Sequence, residues 1–335
     1  MNRIGAEFVI PWPLRVNPHV AQARDRAVRW MADSGLLRGD EAVRTFHNWR
    51  LAEVAAYFYP DADADDCTLA AKMMGWYFVP FDDQLDGEGG RDPRRVAAMV
   101  DVLIGVVHGT PPPADWRTPT VLAFADLWAD MTRRASPALL TRLRGHWSAY
   151  FSSQATEALD RANGFRYGDL ESYFTLRADT TCCYGQNDLG ELWGGRELPP
   201  FLWSHPLLTE FRRLGADLVA LRNDSLSTRH EETDGVHNAV FILERLHDCD
   251  RAEAVALASR TAQAKMDRLL ELEAEALPRL MKHLDGARRE AVACHVDVVR
   301  NWIVGDYVWE AESTRNAGHR ETPDWARGLL FGEDR

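Results

Sequence analysis

The chain has 335 residues, of which 46% are hydrophobic, so it is long enough to bury a large core. Its 39 Lys and Arg against 51 Asp and Glu give a net charge of −12, which excludes the basic footprint expected of a protein that binds nucleic acid. Five cysteines without zinc-ligand spacing fit a reducing compartment, so we expect a cytoplasmic protein. An acidic protein needs a metal cation to reverse the local charge before it can bind an anionic substrate.

The first 18 residues contain three prolines and no continuous apolar core, which predicts an arm and not a signal peptide. No stretch approaches about 18 consecutive apolar residues, so membrane insertion is not expected. Helical periodicity dominates the remaining sequence, and β-branched alternation is sparse. The sequence therefore predicts one all-α domain over residues 1–335, with a Pro-rich arm at 1–18 and a C-terminal tail at 316–335.

The first acidic cluster is the sequence DDQLD at residues 82–86, which follows a strongly apolar run. Asp82 and Asp86 are four positions apart, so a helix would place them on one face. Negative charge at a helix C-terminus is disfavoured by the helix dipole, and a divalent cation would offset that cost. A solvated acidic helix end remains the alternative. A calcium loop of the EF-hand type is excluded because Pro93 stands where its final glutamate is required.

Aromatic residues surround this cluster in the sequence. Phe78 lies four positions before Asp82, so we expect it one turn deeper on the same face, where it would line a pocket beneath the carboxylates. Phe81 lies off that face, and we expect it to pack between helices. We assign Trp76 to core packing as well, as we do Trp302 near the C-terminus.

Further helices are predicted along the middle of the chain. Ser136 and Pro137 form a good N-cap and first-turn pair. A second helix is expected from Asp169 onward and carries Arg177 and Thr181 on one stripe. Long helical segments follow at residues 207–228, 251–283 and 286–314.

Arg177 is a charged residue on an otherwise apolar stripe. It either pairs with a nearby carboxylate such as Asp179 or Asp188, or it binds an anionic ligand. Residues 180–182 are two threonines and a cysteine, which form helices poorly, so we expect a kink directly after Arg177.

The second cluster comprises Asn223, Ser227 and Glu231, which are spaced four positions apart and would stack along one helix face. Their amide, hydroxyl and carboxylate oxygens are hard donors that suit Mg²⁺. A polar helix face without ligands is the alternative. If this face meets Asp82 across the fold, the two clusters would form a cation site large enough for a diphosphate.

Together these residues resemble the bacterial class I terpene synthases. DDQLD resembles the family's aspartate-rich motif, and Asn223, Ser227 and Glu231 resemble its second metal motif. Arg177 matches the family's diphosphate-sensing arginine. Trp309 followed by Arg315 matches the start of the family's C-terminal Arg-Tyr element. The likeness extends over nearly the whole chain, with IPWP at 10–13 and VHNAV at 236–240 as further matching stretches.

The resemblance implies a class I terpene synthase-like helical bundle around a central hydrophobic pocket, with three Mg²⁺ ions and Mn²⁺ as a substitute. The implied metal ligands are Asp82, Asp86, Asn223, Ser227 and Glu231. The implied diphosphate-binding residues are Arg177, Asn223, His230, Arg315 and Asn316. The implied catalytic residues are Arg177, Thr181, Phe78 and Trp309. Two positions depart from the family pattern, because His230 replaces a Lys or Arg and Asn316 replaces a Tyr.

The sequence thus predicts a Mg²⁺-dependent terpene cyclase that ionises a linear prenyl diphosphate, with farnesyl diphosphate as the first choice and a sesquiterpene hydrocarbon or alcohol as the product. A diterpene cyclase acting on geranylgeranyl diphosphate is the alternative. A prenyl chain-elongating transferase and a non-catalytic helical protein are weaker alternatives. We expect no nucleic-acid partner, and a homodimer is left open.

Overall fold

The computed structural model describes residues 5–86, 88–316 and 324–332. Within these ranges the regular structure is helical, and no strand occurs. The α-helices are α1 Val20–Asp33, α2 Gly39–Asn48, α3 Leu51–Phe58, α4 Ala64–Trp76, α5 Asp83–Asp86, α6 Pro93–Val107, α7 Pro119–Thr132, α8 Pro137–Asn163, α9 Leu170–Thr180, α10 Cys183–Trp193, α11 Pro200–Trp203, α12 Pro206–Asp234, α13 Ala239–His247, α14 Arg251–Glu271, α15 Leu277–Met281 and α16 Gly286–Glu312. Two π-helical segments, Tyr77–Asp82 and Leu272–Ala276, and short 3₁₀ turns at Glu88–Arg91, Ala114–Trp116 and Asp324–Ala326 complete them.

The helix starts follow the capping residues that the sequence provides. The Ser136 hydroxyl accepts a hydrogen bond from the Leu139 amide at 3.1 Å, and Pro137 opens α8. The Asp169 carboxylate accepts from the Ser172 amide at 2.8 Å at the start of α9. Each cap satisfies an amide that has no partner within its helix and contributes about 1 kcal/mol to stability. Both predicted helix starts are confirmed.

The helices form an inner set around a central cavity and an outer set packed against it. α3, α4, α9, α10, α12 and α16 contribute the inner walls. α1 packs on α4, α6 packs on α8, and α13 and α14 cover α12. No helix of the described residues is long and apolar enough to cross a membrane.

The apolar core consists of two clusters on either side of the inner helices. One is rich in aromatic rings, including Trp76, Phe81, Phe124 and Phe151, whose neighbouring centroids lie 4.8 to 6.4 Å apart. The other is mainly aliphatic and fills the space between α12, α13, α14 and α16. α12 and α16 supply residues to both clusters, so these two helices connect the halves of the core.

The described part of the N-terminal arm lies across α12 as an extended segment. The Ala6 amide donates to the Ser225 hydroxyl at 2.6 Å, and the Ala6 carbonyl accepts from the Arg222 guanidinium at 2.9 Å. The Val9 amide donates to the Gln263 side chain on α14 at 2.9 Å. The arm is therefore anchored beside Asn223. How the chain divides into domains stays a prediction.

Candidate active site

One cavity of about 70 Å³ gathers most of the predicted site residues. Its lining includes the predicted residues Phe78, Asp82, Arg177, Thr181, Asn223, Trp309 and Arg315. These come from four separate stretches of the chain, at residues 78–82, 177–181, 223 and 309–315. The two acidic clusters therefore face each other, since Asp82 and Asn223 line the same space.

The first acidic cluster departs from the regular helix that the sequence predicts. Tyr77–Asp82 is a π-helical segment, and α5 begins only at Asp83. Pro80 lies inside the segment and has no amide hydrogen to donate, which favours the wider turn. The expectation that Asp82 and Asp86 continue one α-helical face is thus wrong at Asp82. Phe78 and Asp82 both reach the cavity, whereas the side chain of Asp86 lies outside the described part of the structure.

Asp82 is paired with an arginine from the far end of the chain. The Arg315 Nη2 donates to Asp82 Oδ2 at 2.5 Å. The same guanidinium carbon lies 4.6 Å from the centroid of the Phe78 ring, a cation–π contact. Arg315 is only 5% exposed, so this pair is held within the protein and not at its surface.

The second cluster follows the predicted spacing along α12. The Asn223 Oδ1 accepts from Arg177 Nη2 at 2.7 Å, and the Ser227 hydroxyl donates to the Asn223 carbonyl at 2.9 Å. The Glu231 carboxylate accepts from Asn238 Nδ2 at 2.5 Å. Ser227 and Glu231 are buried further along the helix face and are not among the residues that line the cavity. His230 belongs to α12, but its side chain lies outside the described part.

Arg177 is held by the second cluster and not by the partners considered from the sequence. Its guanidinium pairs with Asp224 Oδ1 through Nη2 at 3.0 Å and through Nε at 3.1 Å. Asp188 instead pairs with Arg142. Burial disfavours the charged guanidinium, but the negative charges around it, foremost Asp224, outweigh that effect and raise the pKa of Arg177 well above its usual value. Arg177 is therefore a permanent cation at the cavity wall.

Asp224 is a residue that the sequence interpretation left without a role. The Tyr173 hydroxyl donates to Asp224 Oδ2 at 2.7 Å, and the Ala239 amide donates to the same oxygen at 2.8 Å. Asp224 thus fixes Arg177 and the first turn of α13 together. The sequence feature that could have identified Asp224 was an acidic side chain directly after Asn223, on a face of α12 that had to be buried.

The kink expected after Arg177 is confirmed. α9 ends at Thr180, α10 begins at Cys183, and Cys182 has a left-handed φ of 52°. A non-glycine residue in that region costs about 1–2 kcal/mol, which packing around the break must offset. The Thr180 carbonyl accepts from the Tyr77 hydroxyl at 3.1 Å, and the Cys182 carbonyl accepts from the Gln186 amide at 2.9 Å. Thr181 is the residue of the break that lines the cavity.

Aromatic rings form the apolar wall of the cavity. The Phe78 and Trp309 centroids are 5.0 Å apart, and the Trp309 indole donates to the Trp49 carbonyl at 2.6 Å. Trp302 packs in the core as predicted, but it also lines the cavity, which was not expected. Trp76 and Phe81 do pack in the core as predicted, stacked at 4.9 Å. The difference arises because Trp302 lies on the inner face of α16, while Trp76 faces α7 and α8.

An acidic face on α16 was also missed. Asp306 lines the cavity, and burial, followed by the charge of Glu310, raises its pKa well above the usual range for a carboxyl group. The Glu310 carboxylate accepts from Asn223 Nδ2 at 2.5 Å and from Asn316 Nδ2 at 2.7 Å. Asn316 therefore contacts Glu310 and is not among the cavity-lining residues. The sequence feature that could have identified this face was the spacing of Trp302, Asp306 and Glu310 at intervals of four residues.

The donor chemistry fits a hard divalent cation. Asp82, Asn223, Ser227 and Glu231 provide only oxygen ligands, which Mg²⁺ prefers over nitrogen or sulfur. In the described ranges no group of three or more His, Cys, Asp or Glu forms a metal cluster. The donor set here does not depend on such a group, since it draws on an amide and a hydroxyl.

Comparisons with known proteins agree with this geometry. The family model of terpene synthase family 2, C-terminal metal binding, matches residues 72–268. Pristinol synthase of Streptomyces pristinaespiralis is 37% identical over 94% of this chain and 85% of its own. A (−)-β-caryophyllene synthase of Saccharothrix espanaensis, described as cyclising (2E,6E)-farnesyl diphosphate, is 32% identical over 96% of this chain and 92% of its own. A solved cucumene synthase has a TM-score of 0.80 at 36% identity and covers 90% of this chain and 99% of its own.

The matched family region contains Asp82, Arg177 and the whole Asn223-to-Glu231 face, and it implies binding of a divalent metal. The relatives align over nearly the full chain, and the solved structure shares its helical fold. On sequence, fold and site together, this chain belongs to the terpene synthase family and is an enzyme of that class.

Proposed function

We propose that the protein is a Mg²⁺-dependent sesquiterpene cyclase that ionises linear farnesyl diphosphate and closes the resulting carbocation into rings, with release of diphosphate. One observation carries the proposal: carboxylate, amide and guanidinium groups line the same cavity as several aromatic rings. Such a space suits a substrate with an anionic head and an apolar tail. The caryophyllene synthase relative, named for cyclising farnesyl diphosphate, supports this substrate.

The anionic head would be held by metal and by arginines. Asp82, Asp86, Asn223, Ser227 and Glu231 would hold Mg²⁺, for which we propose three ions and Mn²⁺ as a substitute. The metal would supply Lewis acidity that stabilises the leaving diphosphate. Arg315 is buried and the Arg177 side chain is 15% exposed, and both have the planar donor geometry that matches phosphate oxygens. His230 and Asn316 are proposed as supporting donors.

Both arginines already have partners in the protein before any substrate binds. Arg177 forms a hydrogen bond with Asn223 and an ion pair with Asp224, and Arg315 forms an ion pair with Asp82. These pairs compensate charges that would otherwise be buried alone at a large cost. They also keep each guanidinium at the cavity wall, so a diphosphate that enters meets donors already in place.

The apolar tail and the cation formed from it would meet aromatic faces. Phe78 and Trp309 lie directly beside the charged end, and each aromatic face stabilises a cation by roughly 0.5–2 kcal/mol. Thr181, at the break between α9 and α10, would contact the reacting allylic end, because it lies next to Arg177 in the cavity lining. Burial of this wall keeps bulk water away from the cation.

The direct test is incubation of the purified protein with C10, C15 and C20 prenyl diphosphates and Mg²⁺, followed by analysis of the organic extract. We expect a cyclic C15 hydrocarbon or alcohol from farnesyl diphosphate and no product when EDTA removes the metal. A cyclic product from the C20 substrate alone would favour the diterpene alternative. Elongated diphosphates would indicate a chain-elongating transferase, and no terpene from any substrate would refute the proposal.

A further inference from the structure

A second pocket lies on the opposite side of Phe58 from the active-site cavity. It has a volume of about 200 Å³, against about 70 Å³ for the cavity. Phe58 is the last residue of α3, and it belongs to the lining of both spaces. The two spaces are thus separated by a wall to which one aromatic ring contributes on both sides.

The same helices continue from one space to the other. On α10, Gln186 lines the cavity and Gly190, one turn later, lines the second pocket. On α16, Trp302 lines the cavity and Val298, one turn earlier, lines the second pocket. The cavity and the second pocket therefore lie end to end between α3, α10 and α16.

Packing and a hydrogen bond fix the wall between them. The Phe58 ring packs on Trp302 with centroids 5.5 Å apart. It also lies on the backbone of α16, where a Cβ added to Gly305 would be 2.9 Å from its ring. Beside it, the Tyr59 hydroxyl donates a hydrogen bond of 2.5 Å to the Gln186 side-chain oxygen. Phe58 is therefore held in one position between the two spaces.

The second pocket differs from the cavity in its chemistry. Asp61, Asp297 and Asn301 contribute to its lining. The Asp61 side chain is 57% exposed, so the pocket reaches the protein surface. A polar pocket of this size has room for several water molecules, because one water occupies about 30 Å³ of liquid. On the cavity side, Phe58 and its neighbour Trp302 contribute aromatic rings to the lining.

We propose that Phe58, supported by the Tyr59–Gln186 hydrogen bond, is a specificity-determining residue that separates the carbocation from the water of the second pocket and so determines how the cyclisation ends. The inference rests on the proposed cyclase function. The cation ends in one of two ways. A carbon beside it loses a proton to the released diphosphate and a C=C bond forms, or a water oxygen forms a C–O bond and the resulting oxonium gives a proton to that diphosphate.

The test compares the wild type with Phe58→Leu and Phe58→Ala on farnesyl diphosphate and Mg²⁺ in H₂¹⁸O. We expect the fraction of ¹⁸O-labelled acyclic and monocyclic alcohols to rise several-fold, more in Phe58→Ala than in Phe58→Leu, because leucine still fills part of the wall. Phosphatase cleavage breaks the P–O bond and leaves the alcohol unlabelled, so the label reports capture of a cation.

Two further variants control for packing. Phe124→Leu removes a similar ring from the aromatic cluster, and Phe124 lines neither space, so the variant should lose stability without changing the alcohol fraction. Phe58→Leu combined with Asn301→Phe refills the second pocket from its other side and should restore the wild-type pattern.

Wild-type cyclisation with an unchanged labelled fraction in both folded Phe58 variants would overturn the inference alone. An equal rise in labelled alcohols from Phe124→Leu would also overturn the inference, because Phe124 lines neither space. New turnover of the C20 diphosphate without labelled alcohols would show that Phe58 limits chain length instead. No terpene from the wild type would refute the proposed function itself.

Discussion

The two acidic clusters each bring one side chain, Asp82 or Asn223, to the same cavity but are built differently. The cluster on α12 lies on a single regular helix, and Asn223, Ser227 and Glu231 each have a hydrogen-bond partner within the protein. The other cluster spans a π-helical segment and the four-residue α5. The α12 cluster is therefore a pre-positioned wall, whereas the position of Asp82 depends on Pro80 and on its pairing with Arg315.

The largest effect is expected from removing a ligand of the pre-positioned wall. Asn223→Ala removes an amide that contacts both Arg177 and Glu310. Glu231→Ala removes the carboxylate that lies about two turns further along the same face of α12. Each should lower kcat/KM for farnesyl diphosphate by more than the roughly 10–100-fold that loss of an outer partner of a metal ligand costs. Circular dichroism should show that the helices persist. Full activity of both variants would refute the metal assignment.

The next comparison removes the arginine from each cluster. Arg177→Ala leaves the fully buried Asp224 without its ion partner, so the free energy of unfolding should fall by about 3 kcal/mol. Arg315→Ala leaves Asp82, whose side chain is 19% exposed, and should cost less. Urea denaturation measures both. Asp224→Asn combined with Arg177→Ala is the control, since it removes the unpaired charge and should recover part of the loss.

A smaller effect is expected at Asp306, which lies on α16 and lines the same cavity as Asp82 and Asn223. Its folded-state pKa is raised by burial and by Glu310, against opposing effects of Arg222, Arg177 and Arg315. The protonated form is therefore favoured in the folded state. Its contribution to stability is full below the unfolded pKa, near 3.8, and is lost as the pH rises through the folded pKa.

Asp306→Asn removes this dependence. At neutral pH the variant should be more stable than the wild type by about 1–2 kcal/mol, and the gap should close as the pH falls toward 4. Thermal unfolding measured across that pH range checks the sign. A gap that widens on acidification would show that Asp306 is ionised and stabilising in the folded protein.

The smallest effect is expected at the π-helical segment itself. Pro80→Ala restores an amide hydrogen and favours a regular helix, which would turn Asp82 relative to Arg315. We expect the Mg²⁺ concentration for half-maximal activity to rise a few-fold, with little change in stability. The substitution does not touch Asn223, so the contacts of Asn223 with Arg177 and Glu310 should persist. An unchanged Mg²⁺ requirement would show that Asp82 does not depend on the π turn.

Local sequence signals were enough for the elements and for much of the site. The caps at Ser136 and Asp169, the break after Arg177 and the spacing along α12 are all short-range features, governed by which backbone amides need a partner and by the helical repeat. Resemblance to the terpene synthases then indicated which of these helix faces meet. Where Pro80 altered the helical repeat, the same local rule failed at Asp82.

The partners of the site residues depended on contacts between distant segments. Arg315 and Asp82 are separated by 233 positions, and Asn223 and Glu310 by 87, so no periodicity relates them. The same holds for Trp302 in the cavity wall and for Phe58 between two cavities, because a buried aromatic residue has the same sequence pattern whether it faces a core or a pocket. The sequence by itself predicted a helical chain and the candidate residues for metal and diphosphate; only the packing of α3, α10, α12 and α16 decided which side chains pair and where the cavity ends.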